Sequence, residues 1–360
     1  MTTAVTRRAA TGQEPAASAR QTVEDLLQRV EHRLQSFLAA ERGRYAEVHS
    51  HAVVAIDALS DLVTAGGKLI RPAYCLTGYL AAGGTPGAAG TPGIVDAAAA
   101  LELLHISALV HDDVLDDSRT RRGRPAVHLL HSTLHRTRGW QGESRRFGEG
   151  VALLVGDLAL VYSDELMSHA PSGGLAEWHH LRSEVMIGQY MDVAAAAEFT
   201  TDPGLSRLIA LIKSGRYTIH RPLVVGASAA GRADLAPALA AYGEAVGEAF
   251  QLRDDLLDAF GDCAQTGKTA GLDFSQHKMT LLLGWAMQRD ARIRDLITEP
   301  GHTPEEIRRR LLDTGVPQDV ERHIAGLVDQ GCAALADAPL DPVWRGELTN
   351  MALRVAYRNK

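Results

Sequence analysis

The chain has 360 residues, 46% of them apolar and 22% charged, with a net charge of −7. This is ordinary for a globular protein with a large core, and the acidic balance gives no reason to expect nucleic acid as a partner. Aromatic residues are only 5%, and the dominance of alanine and leucine favours helix over sheet.

Residues 1–20 are polar, with no apolar h-region and no apolar period, so they are predicted to be a disordered leader and not a signal peptide. A helical pattern starts near Thr22, where apolar positions recur at i, i+3 and i+4. A second helix covers 51–64 and stops at Gly66-Gly67, and the Gly/Pro run 83–93 is a loop. Further helices are predicted at about 94–117, 149–169, 174–197, 204–214, 217–230, 235–261, 277–289, 304–314, 317–335 and 342–356. The basic, glycine-containing segment 135–148 reads as a surface loop. No stretch alternates as a strand, so the fold class is all-α. The longest apolar run, Ile94 to Val114, is broken by Asp96, Glu102, His105 and His111 and reads as a buried helix, not a membrane span. Cys75, Cys263 and Cys332 lie far apart without metal-ligand spacing, as reduced cytoplasmic thiols would.

Two acidic clusters carry the strongest chemical signal. The first is His111-Asp112-Asp113-Val114-Leu115-Asp116-Asp117 and the second is Asp254-Asp255-Leu256-Leu257-Asp258. In each, the first aspartate and the one four residues later share a helical face, where like charges repel unless a counter-ion sits between them. Mg²⁺ suits this arrangement: it is a hard cation, held by one or two carboxylates plus water and phosphate oxygens. Basic groups accompany the acids. Gly66-Gly67-Lys68-Leu69-Ile70-Arg71-Pro72 sets a flexible glycine pair beside a Lys and an Arg, Arg121-Arg122-Gly123 follows the first cluster, and Lys268 and Lys278 follow the second. Glycines let backbone approach a ligand, and Arg can grip two phosphate oxygens at once.

From about residue 25 onward the chain resembles the polyprenyl synthetase family, the trans-isoprenyl diphosphate synthases, and most of all the bacterial geranylgeranyl-type members. The matching segments run in the family's order: GGKLIRP, LELLHISALVHDDVLDDSRTRRGRP, LVGDLAL, GQYMDV, KSGRYTIHRPLVVGA, FQLRDDLLD and GKTAGLDFSQHK. The resemblance implies one helical bundle of residues 21–360 around a central cavity, with the two acidic clusters, about 140 residues apart in sequence, facing each other across its mouth. It implies a homodimer. It also implies roles. Lys68, Arg71, His105 and Arg122 would bind the diphosphate of isopentenyl diphosphate. Asp112, Asp116, Asp254 and Asp258 would hold Mg²⁺, about three ions per site. Arg121, Lys213, Gln251, Lys268 and Lys278 would contact the allylic diphosphate. The family has Lys-Thr where this chain has Lys213-Ser214; the hydroxyl survives, so Ser214 keeps the contact. Gln189 and Asp192 match a helix beside the site, and Asp157 reads as structural.

The implied reaction is ionisation of an allylic diphosphate (dimethylallyl, geranyl or farnesyl) and attack by the double bond of isopentenyl diphosphate. A class I terpene cyclase would carry an Asn/Ser/Glu second motif, and a non-catalytic partner subunit would lack one cluster; neither describes this sequence. Ser107 and Ala108, five and four positions before Asp112, are small where fifteen-carbon synthases carry an aromatic. The growing product should pass them by at least one helical turn, 5.4 Å, toward Leu104 and Leu101. A twenty-carbon product, geranylgeranyl diphosphate, is therefore expected, ahead of a longer product or farnesyl diphosphate.

Overall fold

A computed structural model describes residues 7–87, 90–261, 274, 278–299 and 301–358 of the chain. Its described residues divide into two compact units, one of Gln21–Leu76 and Thr85–Ser172, the other of Thr77–Gly84 and Gly173–Lys360 with the start of the first helix. The fold is all-α apart from one two-residue β-ladder among the described residues.

In the first unit the main helices are α1 (Arg7–Ala46, begun in the other unit), α2 (Val54–Thr64), α3 (Ile70–Ala81, completed in the other unit), α4 (Thr91–Leu115), α5 (Val127–Thr137) and α6 (Ser144–Ser168). Helix α1 starts at Arg7 and not near Thr22, because alanine-rich sequence sustains a helix without an apolar stripe. Helix α4 is buried almost all round from Thr91 to Val110, with Ala97 to Ala100 inaccessible to solvent. It is long and apolar enough to cross a membrane, yet 78% of its most apolar window lies inside the fold. Its buried acid Asp96 is met by Arg33 at 2.5 Å. Small residues let α6 pack close: a Cβ on Gly156 would lie 2.1 Å from the His111 ring, and one on Gly148 2.1 Å from the carbonyl of His128.

Helix α5 was expected to be partly loop. Its inward face carries His128, His131 and His135, all buried, and histidines do not register as an apolar stripe. Between α4 and α5, β1 (Thr120–Arg121) and β2 (Arg124–Pro125) form a hairpin whose two turn residues, Arg122 and Gly123, have φ of 51° and 73°. Positive φ at both positions is the type I′ geometry that suits the twist of paired strands. Two-residue strands are too short to alternate, which is why the sequence showed no strand.

The second unit holds α7 (Leu175–Glu198), α8 (Pro203–Ile209), a π-helix (Ala210–His220), α9 (Arg221–Ala229) and α10 (Ala236–Phe260). Further along the chain come α11 (Leu281–Arg289), α12 (Arg292–Thr298), α13 (Pro304–Asp313), α14 (Val316–Ala334) and α15 (Pro342–Ala356). The two helices expected at 204–214 and 217–230 run on through Gly215 without a break. Gly215 faces Gly247 on α10 instead, and a Cβ on either glycine would come within 3 Å of the other's backbone. Helices α3 and α12 were not anticipated. Pro72 and Gly78 dilute the helical signal of α3, but a Cβ at Gly78 would meet the Leu223 carbonyl at 2.1 Å, so the glycine serves close packing on α9. Helix α13 opens with the capping box Thr303/Glu306, in which side chain and backbone satisfy each other's end groups.

Candidate functional site

The first acidic motif occupies the last turn of α4 and its exit. Asp112 and Asp116 are half-buried, whereas Asp113 is 2% exposed and accepts hydrogen bonds from Arg121, with Arg121 Nε at 2.9 Å from its Oδ1. Burial pushes the Asp113 carboxyl above its ordinary range, and Arg121 pulls back against that. The doubled aspartates therefore divide their work. Asp113 ties the hairpin to the helix, while Asp112 and Asp116 lie on the more open side, one turn apart. Counting 100° per residue along α4, His105, Ala108, Asp112 and Asp116 share a face, and all four are half-buried. Ser107 lies on another side, inaccessible to solvent, and its hydroxyl has no hydrogen-bond partner among the described residues. Leu104 and Leu101 are fully buried. His111 packs against α6, its Nε2 3.1 Å from the Leu153 carbonyl and 3.5 Å from the exposed Asp157 carboxylate.

The basic set of the same unit gathers around a buried acid. Glu102 is 3% exposed; Arg122 Nη2 lies 3.3 Å from its Oε1, and Arg122 Nη1 donates to the Leu62 carbonyl at 2.7 Å. Burial raises the Glu102 carboxyl, with Arg71 and Arg122 opposing. Burial first, and then the fields of Arg71, Arg122 and Arg121, hold His105 well below its usual pKa, so its imidazole is neutral at pH 7. A Cβ on Gly67 would lie 2.8 Å from Arg122 Nη2 and 3.3 Å from Glu102 Oε1, so the backbone here runs close against the ends of these two side chains. Arg71, His105 and Arg122 are thus brought together, with Lys68 exposed beside Gly67. Leu69, Asp117 and Arg122 are three of the four non-glycine residues with positive φ among the described residues. Such conformations cost of order 1–3 kcal/mol and cluster at functional sites.

In the second unit a cleft of about 120 Å³ is lined by Asp192, Lys213, Ser214, Gln251, Asp255 and Lys278, among others. Four residues expected at the allylic diphosphate therefore share one cavity. Lys213 Nζ is 2.6 Å from Asp192 Oδ2. The π-helix carries Lys213 and Ser214, and a Cβ on Gly188 of α7 would lie 2.6 Å from the Lys213 amide nitrogen. Both ends of this contact fall in motifs that the sequence singled out, GQYMDV and KSGRY. Gln189 is half-buried on the same helix. The second acidic motif, in α10, differs from the first: Asp255 is buried, accepts from Gln251 Nε2 at 2.8 Å and lines the cleft, while Asp254 and Asp258 are half-buried and are not among its lining residues. Lys268 lies outside the described residues.

Four partners escaped the sequence reading. Glu102 was visible only as an interruption of an apolar run. Asp113 and Asp255 looked like spare aspartates. Arg358, which pairs with Asp254 and stacks 4.0 Å from the Phe250 ring centroid, carries no motif at all.

No cluster of three His, Cys, Asp or Glu side chains forms a ready-made metal cage among the described residues. The donor set still fits Mg²⁺, which commonly takes one or two carboxylates and completes its shell with water and substrate phosphate. Asp112 and Asp116 offer that arrangement, and so do Asp254 and Asp258.

A bundle of helices with an aspartate motif in each of its two units and basic clefts beside them defines a diphosphate-handling enzyme. Residues 54–313 match the family model of the polyprenyl synthetases, and the chain belongs to that family. It is 33% identical over 271 residues to a short chain isoprenyl diphosphate synthase of Methanothermobacter thermautotrophicus, covering 71% of this chain and 74% of that one. Among solved structures it resembles the geranylgeranyl pyrophosphate synthase of Corynebacterium glutamicum in complex with isoprenyl diphosphate and magnesium. The TM-score is 0.88 and the identity 36%, over 93% of this chain and 99% of that one. It also resembles a polyprenyl synthase of Caulobacter crescentus bound to calcium and isoprenyl diphosphate, with TM-score 0.79, 27% identity, and 96% and 98% coverage. The chain is a trans-prenyltransferase of prenyl chain elongation.

Proposed function

We propose that this chain condenses isopentenyl diphosphate with an allylic diphosphate and releases geranylgeranyl diphosphate. The observation that carries the product length is the small side chain of Ala108, which lies on the face of α4 that bears Asp112 and Asp116, one turn below the acids. An aromatic ring there would close the path; a methyl group leaves room down to Leu104 and Leu101. Ser107 is a second candidate for the floor.

Divalent metal, with Mg²⁺ as the assignment and about three ions per site, would supply charge neutralisation for the departing diphosphate when held by Asp112, Asp116, Asp254 and Asp258. The relatives solved with magnesium or calcium support that assignment. Lys213, Ser214, Gln251 and Lys278 hold the allylic diphosphate, joined by Arg121 and Lys268, so that its C–O bond breaks toward cationic groups and leaves an allylic cation. Lys68, Arg71, His105 and Arg122 hold isopentenyl diphosphate. A neutral His105 donates one hydrogen bond without adding a charge. The double bond then attacks the cation, and loss of a proton, with the released diphosphate as base, restores the alkene. The apolar wall of α4 keeps out water that would quench the cation.

Residues 21–360 act as a single synthase domain in this reading, in the cytoplasm and as a homodimer. Exposed apolar side chains support self-association: Leu153, Leu154 and Val161 on α6, and Met186, Ile187 and Tyr190 on α7. The deciding experiment gives the purified chain Mg²⁺, isopentenyl diphosphate and each allylic starter in turn, and reads the products by mass. A twenty-carbon main product is expected, with activity abolished by EDTA and restored by Mg²⁺; a farnesyl or longer main product would overturn the length assignment.

A further inference from the structure

The hairpin of α5 and α6 carries a charge that the reaction does not use. Residues 119–146 contain eight arginines, no lysine and a single acid, Glu143, in a chain whose net charge is −7. Arg121 and Arg122 are taken up by Asp113 and Glu102. The other six, at 119, 124, 136, 138, 145 and 146, are exposed.

Their pairing is poor. Arg119, Arg138 and Arg146 make no ion pair among the described residues. Arg136 reaches only the hydroxyls of Ser132 and Thr133, at 3.1 and 3.0 Å. Arg124 stands 3.9 Å from Asp61, and Arg145 3.4 Å from Glu149. The placement also runs against helix electrostatics. The first turn of α6 contains no acid, its N-cap Glu143 makes no side-chain cap, and Arg145 and Arg146 sit where the helix dipole favours negative charge. A sequence that breaks a local rule without compensation inside the fold often does so for a partner.

At the tip, Trp140 is 41% exposed, although it is held firmly. Its ring makes edge contacts with His135 and Phe147, at centroid distances of 6.0 and 5.3 Å. His135 Nε2 is also within 3.0 Å of the Gln141 carbonyl. The tip is thus a fixed structure presenting a half-exposed indole amid arginines, with Leu130 49% exposed on the outer face of α5.

We propose that this basic, tryptophan-tipped hairpin is a docking surface for an anionic lipid bilayer. Arginines gain electrostatic attraction to acidic headgroups, and an indole seats at the level where headgroup meets acyl chain. The acidic remainder of the chain would be repelled by the same membrane, so attachment is confined to this face and remains reversible. Arginine with an exposed aromatic would also suit single-stranded nucleic acid. What favours lipid rests on the function proposed above: the product pairs a diphosphate with a long hydrocarbon, and each buried methylene adds to its partition into a bilayer.

Flotation of the purified full chain with vesicles tests this. Vesicles of phosphatidylcholine alone are compared with vesicles holding about 30% phosphatidylglycerol, at low salt and at about 0.5 M salt, where the Debye length falls to a few Å. Binding is expected only to the anionic vesicles at low salt. The combined variant Arg136→Gln, Arg138→Gln, Arg145→Gln and Arg146→Gln should lower it at least about tenfold, and Trp140→Ser should lower it in part. Both variants should keep wild-type prenyl transfer in vesicle-free solution. No binding to anionic vesicles, equal binding to neutral ones, undiminished binding by the four-fold variant, or tighter retention on single-stranded RNA would each overturn the proposal. The vesicle-free product assay reads the reaction independently, so an inactive wild-type chain would count against the function and not against the docking surface.

Discussion

Replacing Gly188 by alanine puts a methyl group where the structure has the backbone of Lys213. The added Cβ would lie 2.6 Å from the Lys213 amide nitrogen and 2.7 Å from its Cα, while ordinary contact begins near 3.4 Å. Both atoms belong to backbone in the middle of the π-helix, so no flexible side-chain end can move aside. The π-helix must shift by about 0.8 Å or α7 must do so. Either movement disturbs the 2.6 Å contact from Lys213 to Asp192, which sits one turn along α7 from the substitution. Overpacking of this kind costs about 1–3 kcal/mol of stability. A misplacement near 1 Å of a positioning group costs roughly 10²-fold in rate. The expected result is a folded enzyme with kcat/KM for the allylic substrate lowered by about 10- to 100-fold and a modestly lowered Tm. Gly150→Ala is the matched control: a Cβ there meets nothing within 4 Å, and helix propensity should stabilise it by roughly 0.5–1 kcal/mol. Steady-state kinetics and thermal melts on both variants decide the matter. Wild-type kinetics and Tm in Gly188→Ala would refute the argument, as would an equal loss in Gly150→Ala.

Asp112→Ala should lower turnover by at least about 10²-fold with Tm nearly kept. Asp113→Ala, which strips Arg121 of its buried partner, should cost about 3–5 kcal/mol in denaturant unfolding; the reverse pattern would undo the division of labour within the motif. Lys68→Ala or Arg71→Ala should chiefly raise KM for isopentenyl diphosphate. Lys278→Ala should act on the allylic substrate and kcat, and if both kinds of variant disturbed only the allylic substrate the two pockets would be misassigned. Ala108→Phe is expected to shift the main product to fifteen carbons while ionisation continues. Ser107→Phe should do the same only if the chain runs along its side of α4, so product mass from the pair locates the path. Finally, burial first and then Arg221 and Arg216 lower the His220 pKa from 6.5 to about 4, with Glu184 opposing. A histidine depressed in the folded state favours folding above its unfolded pKa, so stability should fall as pH drops from 6.5 toward about 4. Urea midpoints across that range should fall less steeply in His220→Gln, and identical slopes would dismiss the assignment.

The motifs were legible because charges in an apolar helical run need an explanation on the sequence alone. Asp112 and Asp116 or Asp254 and Asp258 could be placed on one face by counting. What counting could not supply is which aspartate of a pair is bound to the fold. That depends on Arg121 arriving through a hairpin of two-residue strands to meet Asp113, and on the packing that buries Asp255 while Asp254 stays half-exposed. The π-helix left no trace because its apolar spacing is compatible with two ordinary helices on either side of Gly215. Helix α5 was hidden by filling its core face with histidines, and Glu102 by looking like a blemish in α4. Arg358 is separated from Asp254 by about a hundred residues, and only folding pairs them.

The π-helix has a further consequence for how this segment tolerates change. Wider turns house more residues per unit length than an α-helix does, so Ala210–His220 stores surplus chain inside a regular element instead of bulging it out. Losing one residue between Gly215 and His220 would let the ladder relax to tighter, better-aligned α-helical bonds. The molecule could gain robustness from such a deletion. It would also rotate Lys213 and Ser214 relative to the α10 side, anchored where His220 meets Gly243, and swing the ammonium away from Asp192. Selection for thermal resistance and selection for turnover would therefore pull the length of this one segment in opposite directions.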